Sequence, residues 1–403
     1  MEMGRRIGIM PLVALAVVCS CPCGGAATGF DATDREVMAG LSRVMREFFW
    51  EPTSLIYTCP PEDVEPASTY ANGFKIWEKP GDYGKGLEDC AILGGVALGG
   101  LCDAFMVTGD RALADDARRI AKGLVNLATV HGVKGFIARG ICVEDGKSVC
   151  SLSSIDQHTL AVWGLWRYFR SPLADNALRP EIRRVLAEVA DRMTEQVTER
   201  NDWSFQQAVG RGDTRGICKM RFNRPHEGMR LSMVYAAAWA VTGAREYRDL
   251  YRKYVEEGIA KSMELAAART PQEQARLRGT MPDYALLQML VSLELVAAVE
   301  PDADRRRRIW DCMAAPARIA VRRAAALGVG ETQYLCGCGE LSIVQSIAGA
   351  GDRAERERAL CAAIAAKPFA DQASCCRIVH LFAAWWRYRA GRLQGGEGEK
   401  SHP

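Results

Sequence analysis

The sequence predicts an all-α fold, an (α/α)6 toroid in which six helical hairpins close into two concentric rings. Helical periodicity covers almost the whole chain from Asp31 onward, and no alternating strand pattern stands out. The predicted helices alternate between charged, amphipathic segments and segments that are apolar nearly all round. Because a helix that is apolar on every face must be surrounded by protein, we assign the apolar segments to an inner ring. The six hairpins form one domain over residues 28–390.

Twelve helices are predicted, alternately outer and inner. The first opens with Thr33 and Glu36 at the spacing of a capping box, and the fifth has Pro180 in its first turn. Short links from inner to outer helices, such as Thr108-Gly109-Asp110, combine a glycine stop with an aspartate cap. Links from outer to inner helices are mostly longer, and some carry Trp, Tyr, His and Arg. In order, the predicted helices are 33–49, 88–107, 110–130, 156–169, 180–199, 227–241, 245–268, 284–299, 302–327, 340–348, 353–366 and 377–388.

The two classes of helix are recognisable from their residues. In the fifth helix, an outer one, the apolar residues form one stripe at helical spacing: Ile182, Val185, Leu186, Val189 and Met193. The second helix is apolar throughout 91–101, and the eighth is nearly so over 285–293. The pairs Gly94-Gly95 and Gly99-Gly100 in the second helix predict close packing against a neighbouring helix. Both apolar helices therefore belong to the inner ring.

The N-terminal residues have the pattern of a secretory signal. A pair of arginines precedes the apolar run 7–18, which is too short to span a bilayer, and small residues follow. We predict a signal peptide at residues 1–27. Alternatively, the stretch 18–21 resembles a bacterial lipoprotein box, with Cys21 carrying the lipid. The protein is therefore expected to be exported, as a periplasmic, extracellular or lipid-anchored protein, with no other membrane contact.

Composition excludes some functions and partners. A formal net charge of +3 on 403 residues provides no basic surface for nucleic acid. Fifteen cysteines occur, and in an exported chain some of those beyond the signal region are expected to form disulfides. Cys376 and His380 stand four residues apart, as zinc ligands on one helix can, but thiols or disulfides are the favoured interpretation. We therefore expect no metal and no cofactor. Residues 391–403 are expected to form a disordered tail.

The starts of the inner helices should meet at one rim of the toroid, because all six inner helices enter the ring from the same side. Polar groups stand at these starts. Helix capping accounts for one acid at each start but not for paired groups that follow long aromatic loops. We therefore predict a polar site at this rim. The groups are Glu88 and Asp89, Asp156 with Gln157 and His158, His226 and Glu227, Asp283 and Tyr284, Glu340, and Arg377.

Two carboxylates that flank a sugar bond can hydrolyse it, one as the acid and the other as base or nucleophile. Asp89 and Asp156, at neighbouring inner-helix starts, are the predicted catalytic pair, and His226 and Glu227 are further catalytic candidates. Aromatic side chains offer flat faces for sugar rings, and arginines pair with a substrate carboxylate. The predicted substrate-binding residues are Tyr83, Glu88, Arg139, Gln157, His158, Trp203, Asn223, Arg230, Asp283 and Tyr284.

Two short motifs resemble the unsaturated glucuronyl and rhamnogalacturonyl hydrolases of the six-hairpin glycosidase superfamily. Glu88-Asp89 leads through a helix to Thr108-Gly109-Asp110, and Ile155-Asp156 precedes Leu165-Trp166. The architectural resemblance covers about residues 31–390, and the motif match covers only these stretches. The resemblance implies that Asp89 and Asp156 protonate an enol ether and deliver water without a metal. The expected function is thus a secreted glycoside hydrolase acting on oligosaccharides that contain uronic acid.

Two other functions fit the same predicted scaffold. A polysaccharide lyase would neutralise a uronate and transfer protons with histidine or tyrosine, which Asn223, His226, Arg230 and Tyr284 could supply. A toroid without activity could present the same groove to bind a glycan. Only a lyase generates new ultraviolet absorbance from a saturated polyuronide, whereas an unsaturated-uronyl hydrolase consumes it.

Overall fold

The computed structural model describes residues 31–65, 70–71, 74–75, 84–210, 216–267, 281–327, 332–366 and 374–398. Within these residues it contains twelve helices and confirms the predicted (α/α)6 toroid. The helices are α1 (Ala32–Glu47), α2 (Cys90–Thr108), α3 (Leu113–Thr129), α4 (Ile155–Arg170), α5 (Arg179–Gln196), α6 (Arg230–Thr242), α7 (Arg245–Ala267), α8 (Asp283–Val299), α9 (Ala303–Ala326), α10 (Thr332–Ile347), α11 (Arg353–Ala365) and α12 (Cys375–Gly398). The predicted signal segment, residues 1–27, lies outside the described residues.

Short strands and single turns of 3-10 helix lie in the connections. Strands β1 (Phe49–Trp50) and β2 (Leu55–Ile56) pair antiparallel. Strand β3 (Tyr70–Ala71) pairs antiparallel with β4 (Phe74–Lys75), which pairs parallel with β5 (Val149–Cys150). The 3-10 turns are Pro61–Asp63, Glu199–Asn201 and Pro225–Glu227. These elements lie in the connections between helices and do not form a separate layer.

The even-numbered helices form the inner ring. Helix α2 packs against α4, α4 against α6, α6 against α8, α8 against α10, and α10 against α12. Helix α12 packs in turn against α2, so the ring is closed. The odd-numbered helices pack on this ring from outside, α3 and α5 both contacting α4 for example. The helices that are apolar on nearly every face therefore form the inner ring, and the amphipathic helices form the outer ring.

Glycines set the distance between α2 and α4. A Cβ atom at Gly95 would lie 2.2 Å from the Leu160 carbonyl oxygen, and one at Gly164 would lie 2.7 Å from the Gly95 Cα. A Cβ atom at Gly99 would lie 2.3 Å from the Trp163 ring. Backbone contacts this close leave no room for any side chain. The predicted close packing of the glycine pairs is thus confirmed at Gly95 and Gly99.

Charged side chains cross the interior of the ring near the C-terminal ends of the inner helices. Arg167 of α4 makes a two-point ion pair with Asp103 of α2, with N–O distances of 2.6 and 3.2 Å. Arg387 of α12 lies 3.4 Å from Asp103 and also donates to Glu294 of α8. Trp163 Nε1 donates to Glu294 at 3.0 Å. We call Asp103, Arg167, Glu294 and Arg387 the polar plug. Its contacts at Asp103 join neighbouring inner helices, and its contacts at Glu294 join α8 to α12 and α4, which are not its neighbours in the ring.

Two helix boundaries differ from the prediction by more than three residues. Helix α10 begins at Thr332, so Glu340 lies inside a helix and not at its start. Gly337 and Gly339 are poor helix formers, which made this stretch resemble a loop, but packing inside the ring overrides that preference. Helix α12 continues to Gly398, so residues 391–398 are helical where the sequence predicted a disordered tail.

Among the described residues, α2 alone has the length and apolar composition of a membrane-spanning helix. Most of α2 is buried inside the ring, as expected for the core helix of a globular protein.

Candidate functional site

The first carboxylate of the site stands at the start of α2. Asp89 occupies the N-cap position, yet its side chain makes no capping hydrogen bond. Instead, Gln157 Nε2 donates to Asp89 Oδ1 at 2.9 Å, and Arg139 Nη1 lies 3.6 Å from the same oxygen. The Asp89 side chain is 46% exposed. Helix capping therefore does not explain this acid, which is open to contact with a ligand.

The surroundings of Asp89 favour its protonated form. Burial raises the pKa of Asp89, and the nearby Asp156 charge raises it further, whereas Arg139, the Gln157 hydrogen bond and His380 act in the opposite direction. The same side chain remains partly exposed. Solvent reaches this carboxyl group, and yet the surrounding protein is close enough to raise its pKa. Asp89 therefore lies in the wall of a recess.

The second carboxylate comes from α4, the inner helix next to α2. Asp156 lies in the first turn of α4, and Arg230, the first residue of α6, donates from Nη1 to Asp156 Oδ1 at 2.6 Å. Arg230 is 1% exposed, whereas the Asp156 side chain is 30% exposed. A buried guanidinium therefore holds an accessible carboxylate in place through a charge-assisted hydrogen bond.

Buried hydrogen bonds support Asp89 from behind. The Glu88 carbonyl oxygen accepts from Gln157 Nε2 at 2.9 Å and from Arg139 Nη1 at 3.0 Å. The Glu88 carboxylate turns away and accepts from the Gly86 N–H at 2.9 Å. Gln157 is fully buried, and Arg139 is nearly so. Glu88 and Gln157 were predicted to contact substrate, but the structure gives both a positioning role, because their polar atoms face protein.

Other inner helices bring polar groups to the same end of the ring. Tyr284 of α8 is 48% exposed, and its pKa is raised by burial and by the Asp156 charge. Glu340 of α10 is buried, which raises its pKa, and the charges of Asp283 and Asp89 add to this effect while His380 opposes it. Groups that influence one another's ionisation in this way lie close together. We call the following residues the rim site: Asp89, Arg139, Asp156, Arg230, Asp283 and Tyr284.

Asp283 joins three elements at the rim. Its Oδ1 accepts from Nη1 of Arg323, on the outer helix α9, at 2.6 Å. Its Oδ2 faces α10 at Gly337, where a Cβ atom would lie 3.0 Å away. The side chain is 24% exposed. Asp283 therefore both contributes charge to the rim site and ties α8 to its neighbours.

His158 is a correction to the predicted site. It is fully buried, its Nδ1 lies 2.9 Å from the Ser154 carbonyl oxygen, and its ring centroid is 4.5 Å from that of Phe205. Burial lowers its pKa to about 4, so it is neutral at neutral pH. Successive helix residues point about 100° apart, so Asp156, Gln157 and His158 cannot all face one recess. His158 is a core histidine at the start of α4.

Glu227 and Asn223 are also corrections, because both stabilise their own loop. Glu227 Oε2 accepts from the Arg224 N–H at 3.0 Å, which caps the 3-10 turn Pro225–Glu227. Asn223 Nδ2 donates to the Lys219 carbonyl oxygen at 3.2 Å. Short-range bonds of this kind satisfy the backbone of an irregular segment, so the structure gives both side chains a structural role in the loop.

His226 borders the rim site from the same segment. It is 4% exposed, and burial together with the positive charges of Arg230 and Arg224 lowers its pKa to about 4, against the opposing effect of Asp156. Its Nε2 lies 3.8 Å from Glu227 Oε1. His226 is therefore neutral at neutral pH and nearly closed to solvent.

The Trp203 ring, predicted to contact a sugar, already contacts two protein side chains. The guanidinium carbon of Arg221 lies 4.4 Å from the Trp203 ring centroid, and Phe222 packs edge-on against the same ring at 5.2 Å. A groove of about 300 Å³ lies beside this cluster, between the loop and α7, and it is lined by Asn223 but by neither Asp89 nor Asp156. Tyr83, the other predicted aromatic contact, lies outside the described residues.

Two features of the site were not predicted, and a third was considered from the sequence but not favoured. Arg224 is an exposed cation that interacts electrostatically with Tyr284 and His226. Arg323 reaches the rim from an outer helix. Cys336 and Cys376 lie close to His380, and the latter is near enough to Asp89 to influence its pKa. The spacing of Cys376 and His380 was the signal for this last group, but the partner on α10 depends on the register between two helices.

No protein-family model matches the sequence, and no curated protein sequence matches it. Among solved structures, the chain is similar to a sugar epimerase from a ruminal bacterium. The two are 12% identical and superimpose with a TM-score of 0.43, over 68% of this chain and 74% of that chain. A likeness at this level carries no argument about activity, so the site is interpreted from its own geometry.

Proposed function

We propose that the protein is a glycoside hydrolase that acts on oligosaccharides containing uronic acid, with Asp89 and Asp156 as its catalytic carboxylates. One observation carries the proposal: two accessible acids from neighbouring inner helices lie at one end of the ring, and neither caps its helix. Their environments differ: burial raises the pKa of Asp89, whereas Asp156 accepts a hydrogen bond from the buried Arg230.

The roles follow from the neighbours of each acid. Asp89, whose pKa is raised by burial, is the general acid. It protonates the glycosidic oxygen of a saturated sugar, or the double-bond carbon remote from the ring oxygen in the enol ether of an unsaturated one, and water then attacks the resulting oxocarbenium carbon. Asp156, positioned by its hydrogen bond from Arg230, is the base that accepts a proton from the attacking water. Gln157 donates to Asp89 and follows Asp156 directly in the chain, so it couples the positions of the two carboxylates.

Positive charge at the rim supports an acidic substrate. Arg139 and Arg230 stand behind the two aspartates, and Arg224 is exposed beside Tyr284. A guanidinium binds a carboxylate through two parallel hydrogen bonds, so Arg224 is suited to hold the uronate group of a sugar.

The test is a screen of saturated and unsaturated uronic-acid oligosaccharides that follows ultraviolet absorbance and reducing ends. We expect an unsaturated oligosaccharide to lose its absorbance. The substitutions Asp89→Asn and Asp156→Asn should each reduce kcat by about 10²–10⁴-fold while substrate binding is retained. Asp304→Asn is the matched control, because that side chain is 81% exposed on outer helix α9. Unchanged turnover in both rim variants would refute the proposal.

A lyase remains the second candidate, because His226 is neutral and borders Asp156 and Arg230. In that case a saturated polyuronide would gain absorbance, and His226→Gln would abolish the gain. A protein that only binds glycans would show neither change, and Asp156→Asn would alter its affinity alone.

We also propose that the protein is exported, on the strength of the N-terminal apolar run and the small residues that follow it. Mass spectrometry of the protein recovered from its producing cell distinguishes a chain that starts near residue 28 from one that carries a lipid on Cys21. An intact Met1 on the mature protein would contradict export by either route.

A further inference from the structure

A cluster of two thiols and an imidazole lies between α10 and α12. Cys336 Sγ is 3.1 Å from Cys376 Sγ, and His380 Nδ1 is 3.7 Å from the first sulfur and 3.4 Å from the second. All three atoms therefore lie within 4.8 Å of one another. Cys376 and His380 are one helical turn apart on α12, which places both on the face that meets α10.

These separations are close to those between ligands of a single small metal ion. With bonds of about 2.3 Å to sulfur and 2.0 Å to nitrogen, a tetrahedral zinc ion holds a sulfur and a nitrogen about 3.5 Å apart and two sulfurs about 3.8 Å apart. The two sulfur–nitrogen distances bracket the first value. The sulfur pair would need to open by about 0.7 Å. We propose that Cys336, Cys376 and His380 bind a zinc-type divalent cation.

The backbone builds this cluster by close approach of the two helices. A Cβ atom at Gly339 would lie 2.8 Å from the carbonyl carbon of His380, so only glycine allows α12 to pack so close to α10 here. The ligand atoms therefore face one another because of ring packing. His380 Nδ1 also lies 2.8 Å from the Cys376 carbonyl oxygen, and metal binding exchanges that hydrogen bond for the bond to the ion.

Glu340 stands where a carboxylate supports a metal-bound histidine. Its Oε1 lies 3.6 Å from His380 Nε2, the ring nitrogen that faces away from the sulfurs, and 3.7 Å from Cys336 Sγ. Histidine ligands almost always give their second N–H to such a partner, which fixes the ring and strengthens the ligand. Glu340 is buried, so it is a positioning residue for this site.

The cluster adjoins the rim site and is open to solvent. Cys336 and Cys376 are both partly exposed, and His380 is close enough to Asp89 for their charges to interact. Two thiols and one imidazole leave a tetrahedral ion with one further position, which water or a substrate oxygen occupies at zinc sites with three protein ligands. Binding displaces one proton from each thiol, so the bound ion and its two thiolates balance in charge.

The alternative for the sulfurs is a disulfide. Their separation of 3.1 Å exceeds the sulfur–sulfur bond length of about 2.05 Å, and both thiols are free. The alternative for the imidazole is a core histidine that bonds only to the carbonyl oxygen. Neither explains why two sulfurs and a ring nitrogen converge on one point beside a buried carboxylate.

The test uses the whole protein, reduced, treated with a chelator and titrated with zinc alone. We expect one equivalent to bind. Cobalt in its place should show thiolate-to-metal charge-transfer absorption, which a buried thiol or histidine without a metal cannot produce. Cys336→Ser, Cys376→Ser and His380→Ala should each weaken zinc binding at least about 100-fold, and Glu340→Gln about 10–100-fold.

Cys338→Ser is the matched control, because Cys338 is a buried thiol on the same helix and lies outside the cluster. It should bind zinc as the unmodified protein does. Failure of the reduced protein to bind zinc would overturn the proposal, as would equal binding by the control and the ligand variants. So would a mass lower by two hydrogen atoms that maps to a disulfide between Cys336 and Cys376, together with no zinc binding after reduction. These readouts do not depend on hydrolase activity.

Discussion

Arg167→Met tests whether the polar plug stabilises the ring, since it replaces the guanidinium by an apolar chain of similar length. Arg167 binds Asp103 through two N–O contacts of 2.6 and 3.2 Å, and the Asp103 side chain is only 2% exposed. Loss of one partner from a buried ion pair costs about 3–5 kcal/mol, because the other charge stays desolvated. Arg387 remains 3.4 Å from Asp103, so we expect the lower end, about 3 kcal/mol.

The assay is urea unfolding followed by circular dichroism. A loss of about 3 kcal/mol corresponds to a decrease of about 150-fold in the folding equilibrium constant. Combining Arg167→Met with Asp103→Asn should recover part of this loss, because no unpaired charge is then buried. Arg46→Met is the control: its side chain is 66% exposed, and the change should stay within about 0.5 kcal/mol. A loss below about 1 kcal/mol, or strict additivity in the double variant, would refute the reasoning.

Three further substitutions test individual environments. Burial raises the pKa of Asp89 above its usual 3.8, so the native state binds the carboxyl proton more tightly than the unfolded chain does. The free energy of unfolding therefore falls as the pH rises above 3.8. Asp89→Asn removes this titration and should raise the unfolding temperature at pH 7 but not at pH 3. Burial lowers the pKa of His158 from 6.5 to about 4. Between pH 7 and pH 4, the free energy of unfolding in urea should therefore fall by about 3 kcal/mol more for the unmodified protein than for His158→Gln. Gly95→Ala should destabilise by about 1–3 kcal/mol, since its Cβ would lie 2.2 Å from a carbonyl oxygen, whereas Gly391→Ala, with no atom within 4 Å, should not destabilise in a thermal melt.

The fold could be predicted from the sequence because each ring has its own residue pattern. Helices that are apolar on all sides have to be enclosed, and short glycine-containing links oblige consecutive helices to form hairpins. The start of α10 could not be predicted in this way. Gly337 and Gly339 lower helix propensity, and only the contacts of Asp283 and His380 in the assembled ring show why glycine stands there.

The site was predictable where it depends on helix starts and not where it depends on rotation or register. Asp89, Asp156 and Arg230 follow from the convergence of inner helices at one rim. The position of His158 could not be predicted in this way. Residues that are adjacent along a helix point in different directions, and the His158 side chain points into the core. The cluster between α10 and α12 depends on the register of one helix relative to the other. Sequence spacing within a single helix cannot supply it.

The closing contact of the ring joins the two ends of the described chain. Trp385 Nε1 donates to Asp34 at 2.8 Å, and Arg389 lies 2.8 Å from both Asp31 and Asp34. Helix α2 obtains one of its two inner-ring neighbours only from α12, which follows all the other described helices along the chain. A nascent or truncated chain that lacks α12 therefore leaves one apolar face of α2 uncovered. A circularly permuted chain that begins with α12 would cover that face from the outset.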